Sequence, residues 1–77
     1  MDNININIKF SKTLRVLRKQ KGLTQEKLAE MSDIDYKYLQ KLESKTPSSP
    51  TLNVLEKIAT ALNMPLSEFI KHMEEIE

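Results

Sequence analysis

The stretch TQEKLAEMSDIDYKYLQKLE, residues Thr24 to Glu43, decides how this chain folds. Its apolar residues recur at helical spacing in two short runs. This predicts one helix from Thr24 to about Ser32 and a second from about Asp35 to Glu43. Thr24 and Asp35 are residue types favoured just before a helix, where the side chain accepts a free backbone N–H. The turn between the helices is too short to let them run antiparallel, so the pattern is typical of a helix-turn-helix.

The sizes of the apolar residues in this stretch also fit two helices that cross steeply. Leu28, Leu39 and Leu42 are large, and Ile34 anchors the turn. Ala29 is small, as a residue must be where two helix axes approach closely. The alternative is two ordinary core helices of an all-α bundle, since apolar residues at helical spacing are common. The caps, the short turn and the small residue together favour the helix-turn-helix.

Three more helices complete the predicted all-α domain. Helix 1 is expected from about Phe10 or Ser11 to Lys21, and Gly22 lies where a glycine commonly ends a helix. Helix 4 is expected from about Leu52 to Asn63, and helix 5 follows Pro65. The predicted buried stripes of helices 1 and 4 are Phe10, Leu14 and Leu17, and Leu52, Leu55, Ile58, Ala59 and Leu62. Helix 5 carries one apolar side: Leu66, Phe69, Ile70, Met73 and Ile76. Residues 44–50, SKTPSSP, cannot continue a helix and are predicted to form a loop.

The N-terminal residues follow a different period. Residues 3–8 read Asn-Ile-Asn-Ile-Asn-Ile, a strict alternation. An isolated strand has no partner in a helical domain, so residues 1–9 are predicted to be a flexible arm. The alternative is an edge strand that pairs with its copy in a dimer. Residues 10–77 are then predicted to form the helix-turn-helix domain proper.

Length and composition allow only a small domain. The 77 residues can build one modest core, and the absence of cysteine excludes disulfides and zinc fingers held by cysteine. No apolar run approaches the ~20 residues that a membrane span requires, and no signal segment begins the sequence. We therefore expect a cytoplasmic protein with no membrane partner.

Charge is distributed unevenly along the chain. Residues 1–45 contain ten Lys or Arg and six Asp or Glu, a net charge of +4, whereas residues 46–77 contain two and five, a net charge of −3. The formal net charge of +1 hides this asymmetry. A basic first half and an acidic second half predict one face for a polyanion and another directed away from it.

Nothing in the sequence predicts an enzyme. His72 is the single histidine and has no base–orienter pair around it, and a lone helical histidine is far more often a surface residue than a catalytic one. Together with Glu74, Glu75 and Glu77 it is better interpreted as a charged helix end than as a metal site. The single glycine excludes glycine-rich phosphate loops. No metal, cofactor or small-molecule effector is expected.

Three segments, LRVLRKQKGLTQEKLAE, YLQKLE and SPTLNVLEKIATALNMPLSEF, carry a family resemblance. Over residues 10 to about 70 the chain resembles the lambda repressor/Cro-like, or XRE, family of helix-turn-helix proteins. The resemblance implies a five-helix lambda repressor-like domain that binds double-stranded DNA through helices 2 and 3. Two features depart from the family: Asp33 and Lys45 replace usual glycines, and the loop to Pro50 is one residue longer.

The predicted DNA-reading surface is the outer face of helix 3. With Leu39 and Leu42 facing inward and Tyr38 partly buried, four polar residues point outward: Tyr36, Lys37, Gln40 and Lys41. The resemblance implies that Tyr36, Lys37 and Lys41 contact bases, with Gln40 flanking them. It also implies that Gln25 binds phosphate and braces helix 3. Thr24, Lys45 and Ser48 complete the predicted phosphate set, and Arg18 with Glu43, paired in the family, are expected to form a buried ion pair.

The predicted function is sequence-specific binding of duplex DNA by a transcriptional regulator. The roles left open are a phage-type repressor, a restriction–modification controller and an antitoxin autorepressor. A protein-binding module of antitoxin-like or coactivator-like type is the alternative. One recognition helix reads too few base pairs to select a genomic site, so we expect a homodimer on an inverted repeat. Its predicted interface is the apolar stripe Ile70, Met73 and Ile76, with the Asn/Ile arm as the competing surface.

Overall fold

The computed structural model describes residues 5–76. This part of the chain contains five α-helices and no strand: α1 (Ile6–Gln20), α2 (Gln25–Ser32), α3 (Tyr36–Leu42), α4 (Leu52–Ala61) and α5 (Leu66–Glu75). The number and order of the helices match the all-α prediction, with the helix-turn-helix at α2 and α3. No helix among these residues is long and apolar enough to span a bilayer.

The helix-turn-helix begins at the caps that the sequence indicates. The Thr24 side chain accepts the N–H of Lys27 at 3.0 Å, and the Asp35 side chain accepts the N–H of Tyr38 at 3.1 Å. Each bond satisfies one of the free amides that every helix N-terminus leaves unpaired. Because the two caps bracket so short a turn, the directions of α2 and α3 are closely constrained.

Three of the helices end by the same device. A residue one or two positions after the end of the helix adopts a left-handed backbone, and the residue after it donates to the carbonyl five positions earlier at 3.0–3.1 Å. The left-handed residues are Gly22 (φ 71°), Asp33 (φ 57°) and Asn63 (φ 62°). These are the residue types that tolerate positive φ best. An apolar residue follows each of them and packs on the core: Leu23, Ile34 and Met64.

Helix α1 starts a full turn earlier than predicted. It begins at Ile6, and the side chain of Asn5 accepts the N–H of Asn7 at 2.7 Å as the N-cap. Residues 6–9 are therefore helical, so the prediction of an arm or strand is wrong for them, while residues 1–4 lie outside the described residues. A helix satisfies its own backbone hydrogen bonds, whereas an unpaired strand cannot.

The core gathers apolar residues from all five helices around two aromatic rings. Phe10 and Phe69 lie with ring centroids 5.8 Å apart and are 1% and 0% exposed. Most residues of the predicted stripes are buried, Leu66 and Ile70 are half-buried, and Leu52 is 77% exposed. Leu52 is the first residue of α4 and lies outside the core cluster. Val54 packs against the core from the same helix.

Met73 belongs to this core and is not part of an exposed apolar surface. It is 5% exposed in the single chain, so it offers little surface to a second copy, and its part in a dimer interface stays a prediction. Ile6, Asn7 and Phe10 line the same groove as Met73. The additional first turn of α1 therefore supplies apolar surface beside α5 that the sequence pattern placed outside the domain.

Candidate nucleic-acid interface

The outer face of α3 carries the four polar residues predicted to read bases. Leu39 and Leu42 are fully buried, and Tyr38 is half-buried against the core. The four side chains on the other side of the helix are exposed: Tyr36, Lys37, Gln40 and Lys41. Their contact with DNA stays a prediction, but the structure brings all four together on one accessible face.

Lys41 differs from the other three because it touches the loop after α3. Its Nζ donates to Thr46 Oγ1 at 3.3 Å. The start of this loop is fixed by Ser44, whose Oγ donates to the Lys41 carbonyl at 2.7 Å and accepts the Thr46 N–H at 3.3 Å. Ser44 thus gives the longer loop a defined first turn, although Lys45 replaces the usual glycine.

The predicted ion pair joins α1 to the end of α3. Arg18 Nε lies 2.7 Å from Glu43 Oε2, and Arg18 Nη2 lies 3.0 Å from Glu43 Oε1. The two side chains are only 10% and 2% exposed. Such a two-pronged pair fixes orientation as well as distance. Arg18 Nη1 also donates to the Leu23 carbonyl at 2.7 Å, so the turn after α1 is held by the same guanidinium.

Gln25 is the third donor to the same carboxylate. Its Nε2 donates to Glu43 Oε1 at 2.9 Å, which ties the first residue of α2 to the C-cap of α3. This is the bracing role that the resemblance implies. One hydrogen of that amide remains for a phosphate, and the N-terminal amides of α2 lie beside it.

The other predicted phosphate ligands lie at two ends of the motif. Thr24 is exposed at the N-terminus of α2, with its oxygen occupied by the Lys27 amide. Lys45 is exposed and Ser48 is half-buried in the loop. A cation and hydroxyls at these places suit contacts to a DNA backbone on either side of α3, and such contacts stay predicted.

Two residues of α1 join this site without having been predicted. Arg15 Nη1 donates to the Glu43 carbonyl, at 2.6 Å, and to Ser11 Oγ, at 3.0 Å. Ser11 Oγ donates to the Ser44 carbonyl at 3.1 Å and is 1% exposed. Because the predicted stripe of helix 1 is Phe10, Leu14 and Leu17, helical spacing places Arg15 on the outer side of that helix. One signal in the sequence could have indicated the contact: Ser11 and Arg15 lie one helical turn apart, next to the inward-facing positions Leu14 and Arg18.

Two shallow grooves flank α5, and they contain the remaining predicted interface residues. The first is lined by Ile6, Pro50 and Ile70 among others, and the second by Val16, His72 and Ile76 among others. Ile70 and Ile76 are half-buried, whereas Ile6 and Val16 are 59% and 43% exposed. The apolar surface available to a second copy therefore includes α1 as well as α5.

Known proteins share this arrangement of helices. A family model described as "Helix-turn-helix" matches residues 14–69. The HTH-type transcriptional regulator SutR of Escherichia coli (strain K12) is 45% identical over 61 residues, which are 79% of this chain and 34% of SutR. The chain therefore spans about a third of the length of that curated relative.

Two solved structures are similar over most of their length. The restriction-modification controller protein C.AhdI from Aeromonas hydrophila is 38% identical, with a TM-score of 0.76 over 82% of this chain and 94% of C.AhdI. C.Esp1396I bound to a 19 base pair DNA duplex is 28% identical, with a TM-score of 0.83 over 91% of this chain and 92% of that protein.

Proposed function

The chain belongs to the XRE-type helix-turn-helix family of transcriptional regulators, and from that membership we propose that it binds operator DNA sequence-specifically as a homodimer. The observation that carries the proposal is the exposed polar face of α3, which is held rigidly to α1 and α2 through Glu43. A rigid helix with its N-terminal turns free is what insertion into a major groove requires.

Charge and base chemistry support the same proposal. Lys37 and Lys41 each present an ammonium that donates to the O6 and N7 acceptors of guanine, and the Tyr36 ring can pack on a thymine methyl. Gln25, Thr24, Lys45 and Ser48 are the proposed backbone contacts, which set the register of α3 in the groove. A solved relative of this fold, C.Esp1396I, is bound to duplex DNA.

Two-fold symmetry would give the specificity that one short helix lacks. A symmetric dimer doubles the base contacts and requires an inverted-repeat operator whose half-sites lie about one helical turn, or 34 Å, apart. We propose that the interface lies on α5 and includes Ile70 and Ile76. The first turn of α1 adds Ile6 beside Ile70. The regulatory role proposed is that of a repressor or a restriction–modification controller, the role named for C.AhdI.

Selection of a duplex from a random library, followed by affinity measurements at several salt concentrations, tests this function. A regulator should enrich an inverted repeat, and log K should fall steeply with log salt because several phosphates are neutralised, each contributing a slope of about −0.9. A protein that enriches no duplex and shows a flat salt dependence would instead be a protein-binding module of the same fold.

A further inference from the structure

The carbonyls of the two residues directly after α3 are bound by side chains of α1. Arg15 donates to the Glu43 carbonyl at 2.6 Å, and Ser11 donates to the Ser44 carbonyl at 3.1 Å. Arg15 also donates to Ser11 Oγ at 3.0 Å, so the two side chains act as one unit. We name this unit, Ser11 and Arg15 with the carbonyls of Glu43 and Ser44, the α3 clamp.

The α3 clamp lies where a short helix most needs support. Helix α3 has seven residues, and the final carbonyls of any helix have no partner within it. A cation beside those carbonyls also complements the negative end of the helix dipole. The Ser11 hydroxyl and the Arg15 guanidinium therefore hold the backbone of Ser44 and Glu43, directly after α3, where the helix end would otherwise fray.

The α3 clamp is connected to a predicted base-reading side chain. Ser44, whose carbonyl is held by Ser11, donates its hydroxyl to the Lys41 carbonyl at 2.7 Å and accepts the Thr46 amide at 3.3 Å. Thr46 Oγ1 in turn accepts from Lys41 Nζ at 3.3 Å. A continuous series of hydrogen bonds thus runs from α1 to the ammonium of Lys41, without passing through the Arg18–Glu43 pair.

We propose that Arg15 and Ser11 are positioning residues for DNA recognition, which fix the end of α3 and the direction of Lys41 without touching DNA. This inference rests on the proposed function. Arg15 is half-buried, and its Nη1 is committed to two oxygens inside the protein. Its task is therefore distinct from that of the exposed lysines, which are available to phosphate.

Two variants and a matched control test the proposal. Arg15→Met keeps the length of the side chain but removes its donors, and Ser11→Ala removes the hydroxyl. Lys19→Met removes a charge from the same helix at an exposed position. Affinity is measured for the duplex that the wild type selects and for a shuffled duplex, across a series of salt concentrations. Amide hydrogen exchange at Glu43 and Ser44 is measured on the free protein.

Arg15→Met should lower the ratio of specific to shuffled affinity about tenfold, the effect of losing one charged hydrogen bond, with the salt slope unchanged. Ser11→Ala should lower the ratio in the same direction, and Lys19→Met should leave it unaltered. Exchange at Glu43 and Ser44 should accelerate in both clamp variants but not at Leu28, which lies in α2. Arg15→Lys, which retains a charged donor, should recover part of the ratio.

Three results would overturn the positioning role. Equal losses on both duplexes with a salt slope smaller by about 0.9 would make Arg15 a phosphate ligand. A lower melting temperature with an unchanged affinity ratio would make the clamp merely structural. Unchanged amide exchange at Glu43 and Ser44 would show that the α3 clamp does not hold the end of α3. This result does not depend on whether the protein binds DNA, because exchange is measured on the free protein. Failure of the wild type to enrich any duplex would instead remove the proposed function.

Discussion

Glu43 is the residue on which the geometry of the motif converges. Three side-chain nitrogens, two from Arg18 and one from Gln25, reach its carboxylate at 2.7–3.0 Å. A buried carboxylate is tolerated only when such bonds replace its lost hydration. These bonds join α1, α2 and α3 at one carboxylate, and a buried ion pair is by itself weak evidence for a net gain in stability.

The first prediction is that Glu43→Gln strongly destabilises the fold. The substitution leaves the buried Arg18 charge without its counter-ion, which typically costs about 3–5 kcal/mol. Because 1 kcal/mol shifts the melting temperature of a domain this size by about 4–8 °C, thermal denaturation should show a loss of more than about 10 °C. Glu30→Gln is the control, since its pair with Lys27 is 58% and 73% exposed and should change the melting temperature little. Comparable melting of both variants would contradict the prediction.

The second prediction separates base contacts from backbone contacts among the lysines. Lys37→Ala and Lys41→Ala should reduce discrimination between the selected and shuffled duplexes, by about 1–3 kcal/mol for each lost base contact. Lys45→Ala, in the loop, should weaken both duplexes equally, because a phosphate contact carries no sequence information. Competition binding measures both effects. Equal losses on the two duplexes for Lys37→Ala or Lys41→Ala would remove that lysine from the base-reading set.

At the residue scale, the sequence identified the buried ion pair and the exposed face of α3, but not which long side chain of α1 contacts the end of α3. The family resemblance identified Arg18 with Glu43, and helical periodicity identified the outward face of α3. Neither identified Arg15, because a helical wheel assigns a side chain to a face by its Cα direction alone. The guanidinium of Arg15 nevertheless contacts the Glu43 carbonyl after α3. Such a contact depends on the angle at which two helices pack, and helical periodicity gives no information on that angle.

At the scale of helices, boundaries were predictable wherever a cap residue stood beside a clear helical period. Thr24, Asp35 and Thr51 each cap the helix that follows them. The start of α1 was missed because the alternation of Asn and Ile resembles a strand. The spacing of Ile6 and Phe10, one helical turn apart behind a potential cap at Asn5, was the signal that favoured a helix.

The third prediction tests where α1 begins. If Asn5 is its N-cap, Asn5→Ala should lower the free energy of unfolding by about 1 kcal/mol, and Asn5→Asp should restore it. Asn7→Ala is the matched control, because alanine inside a helix is at least as favourable as asparagine. Urea denaturation of the four proteins, wild type included, provides the measurement. A helix that started near Phe10 would leave Asn5→Ala neutral.

At the scale of the whole molecule, the apolar residues of all five helices meet in one core. Among the described residues, thirteen buried apolar residues form a single cluster, while Ile6, Val16, Met31 and Leu52 stay exposed. The fold class and the order of helices followed from sequence, since spacing, caps and resemblance agreed. The apolar surface of α5 that remains for a partner did not follow from sequence, because Met73 lies beside the first turn of α1, which was expected to be outside the domain. Such a surface can be identified only when every helix that covers the core is known.

The last prediction concerns the surface on which two copies meet. Ile6 and Val16 are exposed on α1 but line different grooves beside α5. Each groove includes one glutamate of α5, Glu74 in the Ile6 groove and Glu75 in the Val16 groove, so the charge cost of burial is similar. The Ile6 groove has six apolar lining residues and the Val16 groove has three, so the Ile6 groove offers more apolar surface to bury. We therefore expect the two-fold axis to pass near the Ile6 groove.

Ile6→Glu and Val16→Glu test this choice by sedimentation at micromolar concentration. A substitution at a symmetric interface occurs in both copies, so a penalty of about 1.4 kcal/mol in each would raise the dimer Kd about a hundredfold. Ile6→Glu should therefore sediment as a monomer and Val16→Glu as a dimer, with similar melting temperatures because neither side chain belongs to the buried core. The reverse result would move the interface to the Val16 and Ile76 side of α5. A wild type that stays monomeric even on its selected duplex would exclude the dimer, since specificity would then have to come from one copy of α3.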